Sequence, residues 1–349
     1  MKRVLQILTL LMALVLAACG TPSGGGGTAA TPTSGTAGGG GGSTTYVVGV
    51  VQQTTHPALD AARKGIEDAF KDSGLNVELA AKNANNDQAT LTSIIDGFRD
   101  QKVDLVIAIG TLPLQATFNG LQGSGIPIVF NTVTDPYQAG AAKSETEHPG
   151  VTGIQALPPV TDAFDLILEI QPDAKKVGII WTSTEKNSEV ATGIARKHAE
   201  GKGIEFIEAT VTKADEVLGA AEKLAGQDVD AIFISTDSTV VSALESVVKV
   251  ANENQILLVC NDPASARRGC TAALGLDYYD NGYDSTMEFA IPILKGEATA
   301  DSLPIRKQEK KNIALNLEAA QHQGVSIPDA LKSRADQDKI YDKIVPKTN

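Results

Sequence analysis

The 349-residue chain is poor in the residues that most single-site chemistries need. It has three cysteines, four histidines and one tryptophan, and aromatic side chains make up only 4% of it. No cysteines or histidines stand at metal-ligand spacing, which removes zinc-type sites. There is no G-x-S-x-G elbow, no G-x-x-x-x-G-K-[ST] loop and no H-E-x-x-H, so nothing activates a nucleophile or cradles a nucleotide's phosphates. His56, His148, His198 and His322 are widely scattered. A basic face is missing too: 42 acidic against 30 basic side chains leave a net charge of -12, which argues against nucleic acid as a partner. After Leu16 no apolar run approaches the ~20 residues of a membrane span. Neither an enzyme nor a bound cofactor is expected.

What is present begins at the first residues. Lys2 and Arg3 precede an apolar run from Val4 to Val15, followed by Leu16-Ala17-Ala18-Cys19-Gly20. A basic flank, a core too short to span a bilayer and a small-residue cleavage site describe a secretory signal over residues 1–19. With cysteine in last place, the pattern resembles the lipobox of bacterial lipoproteins. That resemblance implies acylation of Cys19, and several acyl chains hold a protein to a membrane where one binds only reversibly. Residues 20–45 are almost wholly Gly, Ser, Thr, Ala and Pro, a composition that buries no core and reads as a flexible linker. An extracytoplasmic protein, anchored to the cell membrane through lipidated Cys19, is the expectation.

From Tyr46 onward, apolar strand-like runs alternate with amphipathic helical patterns. Tyr46–Val51, Val77–Ala81, Val103–Ile109 and Ile126–Phe130 read as strands. The apolar positions after Pro57 and after Asp87 follow helical spacing. Strands alternating with helices mean an α/β domain with a parallel sheet. The second half restates this order: Val177–Trp181, Gly203–Phe206, Val229–Ile234 and Ile256–Cys260 follow at an offset of 126 to 130 residues. Two similar doubly wound lobes are expected, divided near Gly153 to Pro159. Cys260 and Cys270 are near enough in sequence to pair, or equally to stay free.

Ligands of open parallel sheets bind beyond the carboxyl ends of the strands, and polar residues gather there. The first-half tips are Gln52 to His56, Gly110-Thr111 and Asn131 to Asp135. Those of the second half are Thr182-Ser183 with Asn187-Ser188, then Thr236-Asp237 and Asn261-Asp262. Lobes facing each other through these edges would enclose one cleft.

The order of His56-Pro57-Ala58-Leu59-Asp60, Ala108-Ile109-Gly110-Thr111, Asp135-Pro136, Glu185-Lys186-Asn187-Ser188, Thr236-Asp237 and Gly275 to Gly282 resembles one family. It is the ABC-transporter substrate-binding family that includes tryptophan-binding lipoproteins, and the likeness covers nearly the whole mature chain. The resemblance implies a type I periplasmic-binding-protein fold, with two lobes joined by three crossovers and closing around a small ligand. The N-terminal lobe would comprise residues 46–157 plus about 278–308, and the C-terminal lobe 158–277 plus about 309–349. It further implies a monomer that serves an ABC permease and favours aromatic amino acids. A branched-chain amino acid, a purine, a sugar or a sensory role stay open as alternatives.

An amino acid is a zwitterion, and either charge buried without a partner costs several kcal/mol. Asp237 is the expected ammonium acceptor, against a competing role as cap of the helix starting near Thr239. On that reading its replacement by alanine abolishes binding and leaves the fold near normal. Asp262 and Asn261 are further candidates at the next tip. For the carboxylate, Thr111 with Leu112, Asn187 with Ser188, and Thr134 offer hydroxyls, amides and helix-start N–H groups. His56 is a contact or a cap. Trp181 either stacks on an aromatic ligand, worth about 1 kcal/mol, or plugs the core. Tyr278 lies where the chain should cross between lobes.

Overall fold

A computed structural model describes residues 44–346. The signal, the lipobox cysteine Cys19 and nearly all of the linker lie outside the described residues.

The first half supplies β1 (Tyr46–Gln52), β2 (Val77–Asn83), β3 (Leu105–Ile109), β4 (Ile128–Val133) and β5 (Val151–Gln155). Between the first four run α1 (Pro57–Ser73), α2 (Gln88–Gln101) and α3 (Thr111–Gly120). The second half opens on α4 (Val160–Ile170), then β6 (Lys176–Thr182), α5 (Lys186–Lys202), β7 (Glu205–Val211), α6 (Val217–Ala225) and β8 (Ala231–Ile234). It continues through α7 (Ser238–Ser242), α8 (Leu244–Asn254), β9 (Leu257–Cys260), α9 (Ala264–Arg268) and β10 (Ala272–Leu276). The chain then returns through α10 (Tyr278–Ser285) and β11 (Arg306–Lys307) to the first sheet, and through β12 (Lys311–Asn316) and β13 (Ile340–Tyr341) to the second.

The sheet orders are β11-β5-β4-β3-β1-β2 and β13-β12-β10-β9-β8-β6-β7. Their five central strands follow one pattern, so the sequence repeat is a repeat of topology. β3 (LVIAI) is buried along its whole length because helices cover both faces of its sheet, the reason parallel strands read as continuous apolar runs. Local signals set the helix starts. Asp87 caps α2 by accepting from Thr90 N at 2.6 Å, and Pro57 occupies the first turn of α1, where no N–H is needed.

Two features depart from the sequence reading. Val151–Gln155, placed there at the divide, is a fully buried fifth strand of the first sheet. Gly153 within it lies so close to β4 that a Cβ would stand 2.1 Å from the Phe130 carbonyl oxygen. β12 runs antiparallel to β10, with Leu276 opposite Lys311 and Ala272 opposite Leu315. The physical cause is the short link from β11. That strand is parallel to β5 and ends at the carboxyl edge, so a chain crossing directly from there enters the second sheet in reverse. Cys260 and Cys270, left open by sequence, are disulfide-bonded and tie the end of β9 to the segment before β10.

The helices that frame the first lobe's carboxyl edge pack unusually closely. A Cβ on Gly282 of α10 would stand 1.9 Å from the Ala62 carbonyl oxygen of α1, and one on Gly65 of α1 would stand 2.3 Å from the Tyr279 carbonyl oxygen. Glycine at both positions lets the two backbones touch.

Candidate functional site

In each central sheet the strand order reverses direction between the first strand and the third, which opens a crevice at the carboxyl ends. A narrow cavity spans both crevices. From the first lobe it is lined by Gln53, His56, Ala58 and Leu59 at the β1–α1 turn, Gly110 and Thr111 at β3–α3, Thr132 near the end of β4, and Thr134 and Ala156 just beyond β4 and β5. The second lobe contributes Asn187 at the start of α5, with Thr236 and Ser238 at β8–α7, and Tyr278 enters from the crossover into α10. Its free volume is about 30 Å³, room for about two water molecules. A larger groove of about 1000 Å³ lies at the amino ends of β4 and β5, between Phe118, Ile126, Pro149 and Ile293. It touches one lobe only and lacks the converging polar groups of the cavity.

The walls of the cavity hold unspent hydrogen-bonding capacity. Gln53 Nε2, Thr111 Oγ1, Thr236 Oγ1 and Asn187 Oδ1 are buried without a hydrogen-bond partner among the described residues. Buried polar groups are normally paired, so four such atoms around one space mark where a polar guest fits. Asn187 is oriented by its own amide nitrogen, which donates to Thr236 O at 2.9 Å and Glu185 Oε2 at 3.2 Å, leaving the acceptor end free. Thr111 opens α3, whose first N–H groups have no partner within the helix. Gly110 before it takes φ of +101°, a conformation that glycine adopts without strain. His56 Nδ1 accepts from Ala58 N at 3.0 Å, so the neutral ring carries its proton on Nε2. Burial holds the His56 pKa below the ordinary value, against the opposing pull of Asp262, and favours that neutral form.

No side chain lining the cavity is an acid or a lysine or arginine, but two buried carboxylates stand behind its second-lobe wall. Glu185, 1% exposed, accepts from Ser238 N at 3.0 Å, Thr239 N at 2.9 Å and Thr239 Oγ1 at 2.6 Å. Asp237, fully buried, accepts from Thr182 N (2.6 Å), Thr182 Oγ1 (2.8 Å), Ser188 Oγ (2.5 Å) and Val240 N (2.8 Å). Burial, and then the negative charge of Glu185, push the Asp237 pKa up to about 7.

These bonds correct several sequence expectations. Asp237 does not line the cavity. Its carboxylate is spent on β6, α5 and α7, and it serves as the cap of α7. Ser188 is drawn inward by the same carboxylate. Asn261 braces β9 against β10, donating to Leu274 O at 2.6 Å. Asp262 accepts from Ser265 Oγ at the start of α9 at 2.8 Å and borders a separate groove beside Tyr278 and Asn312. Trp181 packs against the second lobe's core instead of the cavity, because its position on β6 points the ring at the helix layer. The Leu112 side chain joins the first lobe's core. His56, Thr111, Thr134, Asn187 and Tyr278 do line the cavity.

Gln53, Thr132, Thr236 and Ser238 were not singled out in the sequence, although three of them lie within the strand tips quoted above. Their signal is position: each sits within a few residues of a strand's carboxyl end.

Comparison with known proteins follows the same lines. The family model of the ABC transporter substrate binding protein matches residues 47–339. The chain is similar to a tyrosine-binding protein of Clostridioides difficile, at 34% identity over 275 residues, covering 77% of this chain and 78% of that one. The structure of an ABC domain in complex with L-Trp from Streptococcus pneumonia is 25% identical with a TM-score of 0.79, covering 84% of this chain and 99% of that one. The ligand-free, open structure of a substrate binding protein with adhesive properties from Clostridium difficile is 29% identical with a TM-score of 0.63, covering 85% and 98%.

Proposed function

Since the chain belongs to the ABC transporter substrate-binding protein family, we propose that it captures an amino acid, aromatic ones preferred, by closing two lobes around it, and delivers it to a membrane permease. The observation that carries this reading is the ring of unpartnered buried polar atoms contributed by both lobes. A ligand that satisfies them must bridge the lobes, and bridging couples occupancy to closure. A cavity of about 30 Å³ is smaller than an aromatic amino acid, so binding one requires the lobes to part. The greater likeness to the L-Trp complex than to the ligand-free, open structure fits a closed arrangement, since sequence identity alone would rank the two the other way.

The two walls differ in polarity, which orients the guest. The first lobe presents donors: the Gln53 amide, the Thr111 hydroxyl and the start of α3, suited to a carboxylate. The second lobe presents the Asn187 acceptor in front of Glu185 and Asp237, suited to an ammonium held through an intervening amide. Tyr278 is the aromatic ring in the lining and offers a face for an aromatic side chain.

Isothermal titration of L-tyrosine, L-tryptophan and a neutral sugar into the protein tests the reading. Binding of an aromatic amino acid with micromolar affinity, about -8.2 kcal/mol, is expected. Asn187→Ala and Thr111→Val should each weaken it by roughly ten- to a hundred-fold, the loss of one buried bond to a charged group. Tighter binding of the sugar than of either amino acid overturns it.

Anchoring belongs to the same proposal. Lipidation at Cys19 would keep the binding lobes beside the permease. On fractionation the Cys19→Ser chain should move from the membrane to the soluble fraction, and retention at the membrane would refute the anchor.

A further inference from the structure

β4 departs from regular strand geometry at the cavity. Phe130 is opposite Gly153 and Val133 opposite Gln155, so three steps along β4 match two along β5. That is one inserted residue, a bulge. Side-chain burial shows which residue is extra. Ile128, Phe130 and Val133 all join the same core layer, whereas strict alternation would have sent Val133 to the other face. Thr132 is therefore displaced from both layers, and it lines the cavity.

The backbone there is strained. Thr132 has φ of +56°, in the left-handed region that a β-branched residue does not adopt unaided. α10 holds it in place. Asn281 Oδ1 accepts from Thr132 N at 2.7 Å, and one turn later Ser285 Oγ accepts from Asn131 Nδ2 at 3.1 Å. Asn281 and Ser285 are both fully buried. Asn281 does not line the cavity itself, while Tyr278, one turn earlier on the same helix, does.

We infer that Asn281 is a positioning residue for ligand capture: it holds the β4 bulge so that Thr132 is inserted into the cavity wall. The inference rests on the reading of the cavity as the ligand site, but the bulge's support is measurable without a ligand. Strain at such positions persists only where surrounding structure over-determines it, and α10 supplies that constraint.

The test is a double-mutant cycle between Asn281→Ala and Thr132→Gly, read in two ways. Thermal unfolding of the unliganded protein should show Asn281→Ala lowering Tm by several degrees, and by clearly less in the Thr132→Gly background, because glycine adopts the left-handed conformation unaided. Titration with L-tyrosine or L-tryptophan should show Asn281→Ala weakening binding about ten-fold, and by no more than about three-fold in the Thr132→Gly background. Should Asn281→Ala fail to fold, Thr132→Gly is compared with Thr132→Ala, and the glycine variant should have the higher Tm, the reverse of the usual order in a strand. Equal losses of Tm in both backgrounds, or alanine above glycine at position 132, overturn the inference. A wild-type protein that binds neither amino acid while the Tm coupling persists refutes the ligand reading and leaves the bulge's support standing.

Discussion

Asp237→Ala is expected to lower Tm by on the order of 10 °C while changing ligand affinity less than Asn187→Ala does. The carboxylate receives four hydrogen bonds from three elements. Its removal leaves the Val240 N–H buried and unpaired and the Thr182 N–H with only the longer bond to Ser188 Oγ at 3.2 Å, a cost of roughly 2–4 kcal/mol after some relief from no longer burying the acid. The sequence alone suggested the opposite pattern, a normal fold without binding, and that outcome would return Asp237 to the cavity. The same residue gives stability a pH dependence. Its folded pKa of about 7 lies above the ordinary 3.8, so the folded state binds more protons between these values and stability falls as pH rises through that window. Relative to Asp237→Asn, the wild type should lose Tm from about pH 4 to about pH 7 and run parallel above it. Parallel curves throughout would show that Asp237 titrates normally.

Gly282→Ala is expected to disturb fold and site together. The new methyl would begin 1.9 Å from the Ala62 carbonyl oxygen, and backbone, unlike a flexible side chain, cannot rotate away. α10 must move off α1, and overpacking of this kind costs about 1–3 kcal/mol. Both helices carry cavity residues at their starts, His56 and Leu59 on one and Tyr278 on the other. Affinity should therefore fall along with Tm. Gly193→Ala makes the control, since a Cβ there meets nothing within 4 Å, and a helical glycine replaced by alanine gains up to about 1 kcal/mol. Equal behaviour of the two variants would mean that α1 and α10 are not in register as described.

The polar strand tips were legible because they combine two readable facts, where a buried apolar run stops and which polar residues follow. That suffices to place His56, Thr111, Thr134 and Asn187 at the cavity. It does not distinguish Asp237, Ser188, Asn261 and Asp262, which occupy equivalent tips but are not among the cavity-lining residues. A cap and a ligand contact call for the same residue types, because both satisfy N–H groups at a helix start. Trp181 was left between two roles for a different reason: an aromatic at a strand's end is apolar enough for either layer, and only the sheet's pleat decides which, here the core.

The alternation of buried strands and amphipathic helices, repeated once, determined by itself the α/β class, the two lobes and the edge where polar groups collect. These follow from period and burial, which are local properties of a chain. The bulge at Thr132, the antiparallel β12 and the contact of α1 with α10 were decided only by tertiary structure. The bulge depends on Asn281 and the helix contact on Ala62 opposite Gly282, and a hydrogen bond or close approach across such a separation leaves no periodic trace; the reversal of β12 depends on the edge at which β11 ends. The inward turn of Asp237 belongs with them, since donors from three separate elements had to meet before its carboxylate could be held there.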